Sequence, residues 1–156
     1  MTRTTAREIA VQLGFSLVMT EQFADELLDE FFDHAHYDSL GKENPLYAEY
    51  PERKQMDYIR ALVQLIYDHR VELDVYIEKY AKGWKVGRIS KTAAAIMRCA
   101  MCEILYMPDI PNAAAINEAV ELAKGYEDED VVAFINGVLG GFIRGEVEGK
   151  EDKEEE

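Results

Sequence analysis

No stretch of this 156-residue chain strings together the roughly 18 apolar residues that a membrane-spanning helix requires. The opening Met1-Thr2-Arg3-Thr4-Thr5 runs into mixed polar and apolar residues and lacks the continuous apolar core of a secretory leader. Cysteine is scarce. Two thiols in a chain without an export signal point to reduced cysteines in the cytoplasm rather than to a disulfide framework. Positive charge is also in short supply, with 17 Lys and Arg against 31 Asp and Glu and a net charge of −14. Such a polyanion is repelled by nucleic acid overall, which excludes a nonspecific nucleic-acid binder. Strand-like alternation, internal repeats, a glycine-rich phosphate loop and a nucleophile elbow are all missing. The acids lie in runs, not as a pair isolated in apolar surroundings that would shift a pKa. An enzyme therefore has no positive support, and neither catalysis nor a cofactor is expected. What remains is a hydrophobic content of 48%, enough for one globular domain with a real core.

The charge is unevenly spread. Residues 145 to 156 (GEVEGKEDKEEE) hold seven acids and two bases, without apolar periodicity, and are predicted to be a solvated, disordered tail beyond a domain spanning 1 to 144. Between Lys79 and Cys102 the sign reverses, with Lys79, Lys82, Lys85, Arg88, Lys91 and Arg98 and no acid. The first seven residues are basic as well, through Arg3, Arg7 and the terminal amine. Two basic regions on an acidic protein point to a confined anionic partner.

Apolar spacing predicts seven helices joined by short links, an all-α bundle. Thr5-Ala6-Arg7-Glu8 has the form of a capping box and predicts a start near Thr5, with Ala6, Ala10, Leu13 and Leu17 on one face. Phe23, Leu27, Leu28, Phe31 and Phe32 mark a second helix, and Gly41, Asn44, Pro45 and Pro51 make Ser39 to Pro51 a loop. Met56 to Ile66 and Leu73 to Tyr80 carry the next two helices. Gly83 and Gly87 bracket Trp84 in a connection to an alanine-rich helix from Ile89 to Tyr106. Pro108 and Pro111 separate it from a helix over Asn112 to Lys124, stopped by Gly125. Acids at Glu127 to Asp130 suit the start of the last helix, lined by Phe134, Val138 and Phe142.

Few residues offer chemistry. Cys99 and Cys102 have Cys-x-x-Cys spacing, but they fall inside a predicted helix, with no second pair to complete a zinc shell. They read as small buried hydrophobes. His34, His36 and His69 read as surface histidines, with no carboxylate fixed beside them. No metal site is expected. Lys79, Lys82, Lys85, Arg88 and Lys91 recur every third residue around Trp84. Two readings stand: a solvated helical stripe with Trp84 as a core or hinge plug, or cations that hold phosphates while the indole stacks on an unpaired base.

Asp109 to Lys124 (DIPNAAAINEAVELAK) followed by Phe134 to Leu139 (FINGVL) resembles the C-terminal signature of the NusB family. Ala6-Arg7-Glu8 with Ala10-Val11-Gln12 resembles its first helix, and Trp84, Arg88-Ile89, Ile96-Met97-Arg98 and Glu103-Ile104-Leu105 resemble its middle. The resemblance runs from about residue 3 to 143 and is weakest over Ser39 to Pro51. It implies an all-helical fold of two subdomains packed across each other and no enzymatic activity. It also implies binding of boxA-type RNA together with the ribosomal protein NusE, within the RNA polymerase antitermination complex that transcribes ribosomal RNA. By position, the family's arginine-rich start falls on Arg3 to Arg7, and its RNA-facing acid and aromatic fall on Asp130 and Phe134. Trp84 takes an aromatic position near RNA, and Phe15 stands where a tyrosine contacts NusE in some members. The arginine cluster is reduced here to Arg3 and Arg7, and Ala93 replaces an acid that pairs with NusE in some members. Asn117 and Asn136 are expected to be buried hydrogen-bonders between helices, and Gly137 to admit a close helix neighbour.

Two further readings compete. A protein-binding adaptor or homodimer without RNA contact suits the acidic balance. A fused RNA methyltransferase, known on the same helical domain, is not expected, because the chain ends soon after that domain.

Overall fold

The first helix begins at a threonine, three residues before the expected cap. In the computed structural model, which describes residues 1–149, the Thr2 hydroxyl accepts the Thr5 N–H at 3.1 Å, and α1 runs Arg3–Thr20. Thr5 turns its own hydroxyl toward Thr2 instead of capping. Among the described residues helices are the only regular secondary structure: α2 (Ala24–Phe31), α3 (His34–Gly41), α4 (Arg53–Asp68), α5 (Arg70–Tyr80), α6 (Lys91–Tyr106), α7 (Asn112–Lys124) and α8 (Glu129–Phe142) follow. It divides into two units, the first ending at Asp68 and the second beginning at His69.

In the first unit α1 lies along α4. Ile9, Leu13 and Leu17 on one helix and Ile59, Leu62 and Ile66 on the other are buried at spacings of three and four, so both stripes face inward. The stretch expected to be a loop is more ordered than its glycine and prolines implied. Asp33 caps α3 by accepting the His36 N–H, and Pro45–Tyr47 forms a single 3-10 turn. Aromatic packing is the reason: Phe31, Phe32, Tyr47 and Tyr50 surround the fully buried ring of Tyr37. The Tyr37 hydroxyl donates to the Glu49 carbonyl at 2.8 Å and that of Tyr50 to the Phe32 carbonyl at 2.7 Å. Burial pushes the Tyr37 hydroxyl up to about 12. At Gly41 a Cβ would collide with the Tyr47 carbonyl, so glycine is required by the close approach of that turn.

In the second unit α6 is the central element. Every residue from Ala93 to Glu103 is buried, and α5, α7 and α8 pack around it. Its alanines, short enough for three neighbours to approach, explain why this helix lacks a polar face. Ser90 caps it, accepting the Ala93 N–H at 3.2 Å, two residues beyond the expected start at Ile89 in the case of the first helical residue, Lys91. Cys99 and Cys102 lie on this helix as buried free thiols, and burial pushes Cys102 up to about 12. Arg98 is also inside, its Nε 2.7 Å from Asp74 of α5.

Residues 145 to 148, the start of the expected disordered tail, are helical. Ile143–Glu148 continues α8 as a wider, π-helical turn, because Glu146 has partners: the Tyr80 hydroxyl donates to it at 2.8 Å and Lys79 lies at 3.2 Å. The remainder of that tail, 150 to 156, lies outside the described residues.

Candidate nucleic-acid interface

In the second unit the basic stretch is a loop, not a helical stripe. α5 ends at Tyr80, and Lys82 and Gly83 then adopt positive φ (50° and 96°), turning the chain sharply before Trp84. A 3-10 turn, Val86–Arg88, leads back to Ser90, and Glu78 steadies it by accepting the Val86 N–H at 3.2 Å. Trp84 is therefore displayed, not buried. Its side chain is 55% exposed, which argues against the plug reading. The cations sort by partner. Lys79 is paired with Glu146 and Arg98 with Asp74, whereas Lys82, Lys85 and Arg88 are exposed on the loop with Trp84.

α8 supplies the other sequence-predicted pair in this unit. Asp128 caps it by accepting the Val131 N–H, and Asp130 in the first turn favours the positive end of the helix. Phe134 follows Asp130 by four residues, so both lie on one face, Asp130 exposed and Phe134 half-buried. Gly137 continues this face, is exposed, and has nothing within 4 Å of an added Cβ. The expected close helix neighbour is absent at that position. Asn117 and Asn136 are exposed too, and neither is the buried connector expected of it.

The first unit treats its arginines differently. Arg3 Nε donates to Gln55 at 2.8 Å, with the guanidinium 3.9 Å from the centre of the Tyr58 ring. Arg7, only 6% exposed, lies over the same ring, 5.8 Å from its centre. The terminal amine is neutralised by Glu49 at 2.7 Å and Glu52 at 3.0 Å, and these hydrogen bonds raise its pKa. Phe15 sits half-buried on α1, and the same helix end exposes Val18 and Met19, with Phe23 following at 62% exposure. Glu21, Asp25 and Glu26 are exposed around this apolar corner. Ala93 is buried in the first turn of α6.

Pattern reading missed the role of His69. The residue does have a fixed carboxylate: its Nδ1 lies 3.0 Å from Glu72, and the Tyr106 ring stacks on the imidazole at 4.1 Å while its hydroxyl donates to Glu72 at 2.8 Å. The Glu72 carboxyl is raised by desolvation but lowered further by hydrogen bonds from Tyr106, His69 and Tyr76, for a net downward shift. The spacing His69-x-x-Glu72 was the available signal; its third member, from α6, was not visible without the fold. Among the described residues, no group of three or more His, Cys, Asp and Glu side chains is arranged to hold a metal. No described helix is long and apolar enough to cross a membrane.

An all-α scaffold that displays an indole beside Lys82, Lys85 and Arg88, cations with no ion-pair partner among the described residues, defines a class of helical protein with a surface suited to binding an anionic partner. A family model described as the NusB family matches residues 4–144. A transcription antitermination protein NusB from Acetivibrio thermocellus is 37% identical, with 100% of both chains covered. Another from Clostridium kluyveri is 33% identical over 94% of this chain and 97% of its own. The fold is similar to a solved T. maritima NusB, with TM-score 0.74, 23% identity and 92% of each chain covered. It is also similar to a chain from a crystal structure of antitermination factors NusB and NusE in complex with dsRNA, with TM-score 0.73, 21% identity, and 92% of this chain and 96% of that one covered. The chain belongs to the NusB family.

Proposed function

We propose that this protein is a cytoplasmic, non-catalytic transcription antitermination factor that binds boxA-type single-stranded RNA together with NusE and supports transcription of ribosomal RNA. Family membership supports the activity, and so does a structural relative seen with NusE and RNA. The observation that carries the RNA reading is the exposed Trp84 among Lys82, Lys85 and Arg88. An indole offers a face on which an unpaired base stacks, and the cations neutralise the flanking phosphates. Asp130 and Phe134 form a second contact, in which the acid accepts from base amino groups and the ring packs against a base.

Arg3 and Arg7 contribute unequally. Arg3 is partly exposed and reaches one phosphate, whereas Arg7 supports it by holding the Tyr58 platform. NusE, through Phe15 and the exposed Val18, Met19 and Phe23, docks on the first unit, where the acidic surround suits a basic ribosomal protein. In this reading the assembly joins RNA polymerase as a whole.

Labelled boxA RNA titrated with and without NusE tests the proposal. Weak binding alone and at least about tenfold tighter binding with NusE is expected, since few free cations oppose a charge of −14. NusE binding without any RNA contact would favour the protein-adaptor reading instead, and self-association that excludes NusE would favour the homodimer.

A further inference from the structure

The face formed by Asn117 and Asn136 has a shape of its own. α7 and α8 are joined by only Gly125 to Asp128 and pack on each other, and between them opens a cleft of ≈ 560 Å³. Each helix lines it with residues at spacings of three, four and seven: Asn117, Val120, Glu121 and Lys124 from α7, and Glu129, Val132, Ala133 and Asn136 from α8. Val120, Val132 and Ala133 make an apolar floor. The two carboxamides stand on opposite helices, exposed, with no hydrogen-bond partner among the described residues. Charge in the cleft is negative. Lys124 is held by Glu121 at 2.6 Å, Glu127 is occupied by the Ser90 hydroxyl, and Glu129 is exposed.

We propose that this cleft binds a short, extended, basic segment of a partner protein, its main chain held between the Asn117 and Asn136 carboxamides. A carboxamide offers both a donor and an acceptor, which matches the N–H and C=O of an extended peptide. The apolar floor takes one alternate side chain, and lysine or arginine side chains from the segment meet Glu129 and compete for Glu121. Charge complementarity selects this occupant over RNA, whose phosphates three carboxylates would repel. The cleft also differs from the face of Asp130 and Phe134. At about 100° per residue, the two sets point roughly a third of a turn apart on α8, so both can be occupied at once. The inference holds whether or not the Trp84 loop reads RNA.

The test uses the full chain, isotopically labelled, and follows the side-chain NH2 signals of Asn117 and Asn136 by NMR. The probe is a capped hexapeptide alternating lysine and leucine. Controls are the glutamate–leucine counterpart and an oligouridylate. Saturable shifts of both amides with the lysine peptide alone, weakening with salt, are expected. Asn136→Ala, an exposed substitution, should weaken binding by about tenfold while leaving the melting temperature in place, and Glu129→Lys should weaken the binding of the folded protein as far. A folded Ala133→Arg variant, which fills the floor, should abolish the shifts. The proposal is overturned by absence of saturable shifts, by equal shifts with the glutamate peptide, by unchanged affinity in the folded variants, or by response to the oligouridylate instead.

Discussion

Arg7 and Arg88 carry the same guanidinium, and in the sequence both belong to a basic region of an acidic chain. The first is 6% exposed and lies over the Tyr58 ring, whereas the second is exposed on a loop beside a displayed tryptophan. The same contrast separates Arg98, buried against Asp74, from Lys85, 13 residues earlier on the exposed loop. A cation that is already paired or desolvated against an aromatic ring has little left to give a phosphate, because a new contact must replace an existing one. Availability, not number, decides which basic region is an interface. By that measure we propose the second unit's loop, ahead of the first unit's arginines, as the RNA contact.

The largest effect that sharpens this contrast is on stability. Arg98→Ala should cost about 3 kcal/mol, toward the low end for breaking a buried pair because Asp74 is 40% exposed. Chemical denaturation would measure the loss, and the RNA affinity of the folded fraction should not move. Trp84→Ala should do the reverse, costing about 1–3 kcal/mol of RNA binding with the melting temperature unchanged. A drop in melting temperature at constant affinity would restore the plug reading and break the comparison.

The salt dependence of RNA binding separates the two regions next. Removing Lys85 and Arg88 together, as Lys85→Ala with Arg88→Ala, should lower the salt slope by about one per lost phosphate contact. Arg7→Gln should leave the slope alone and instead destabilise the first unit by about 1 kcal/mol. The opposite pattern would return the phosphate-binding role to the N-terminal arginines.

The smallest effect concerns pH. Glu72 is held below its ordinary value of 4.5, so it contributes stability above that pH which is lost as pH falls through the lowered folded value. Glu72→Gln should remove that contribution, and the difference in melting temperature between wild type and variant should shrink as pH falls below the ordinary 4.5 and through the lowered folded value. A difference independent of pH would show that packing with Tyr106, not ionisation, is what Glu72 supplies.

Much of this was legible in the residues. The helix over Asn112 to Lys124 and its stop at Gly125 agree with the structure, since a proline before and a glycine after a periodic apolar stripe are strong punctuation. The cysteines proved to be buried within α6, as mid-helix spacing implied. Less could be read where contacts distant in sequence decide. Gly41 and Pro45 are local breakers that make Ser39 to Pro51 read as loop, yet the end of α3 and a 3-10 turn fall within it, ordered by an aromatic cluster around Tyr37 that draws on residues up to Tyr50. Glu146 looked like part of a solvated run until Tyr80 and Lys79, far back in the chain, met it.

The candidate site divides along the same line. Its chemistry, cations interleaved with one indole, is a property of residue order alone. Its accessibility was decided by tertiary structure. Positive φ at Lys82 and Gly83 turns Trp84 outward, while packing of α5 on α6 pulls Arg98 in. Sequence periodicity determines that these helices form and which stripe of each is apolar, because those are local consequences of backbone geometry and side-chain type. Whether a given charge faces water, a ring or a counter-ion depends on which other helix lands against it, and that is settled only when the chain closes on itself.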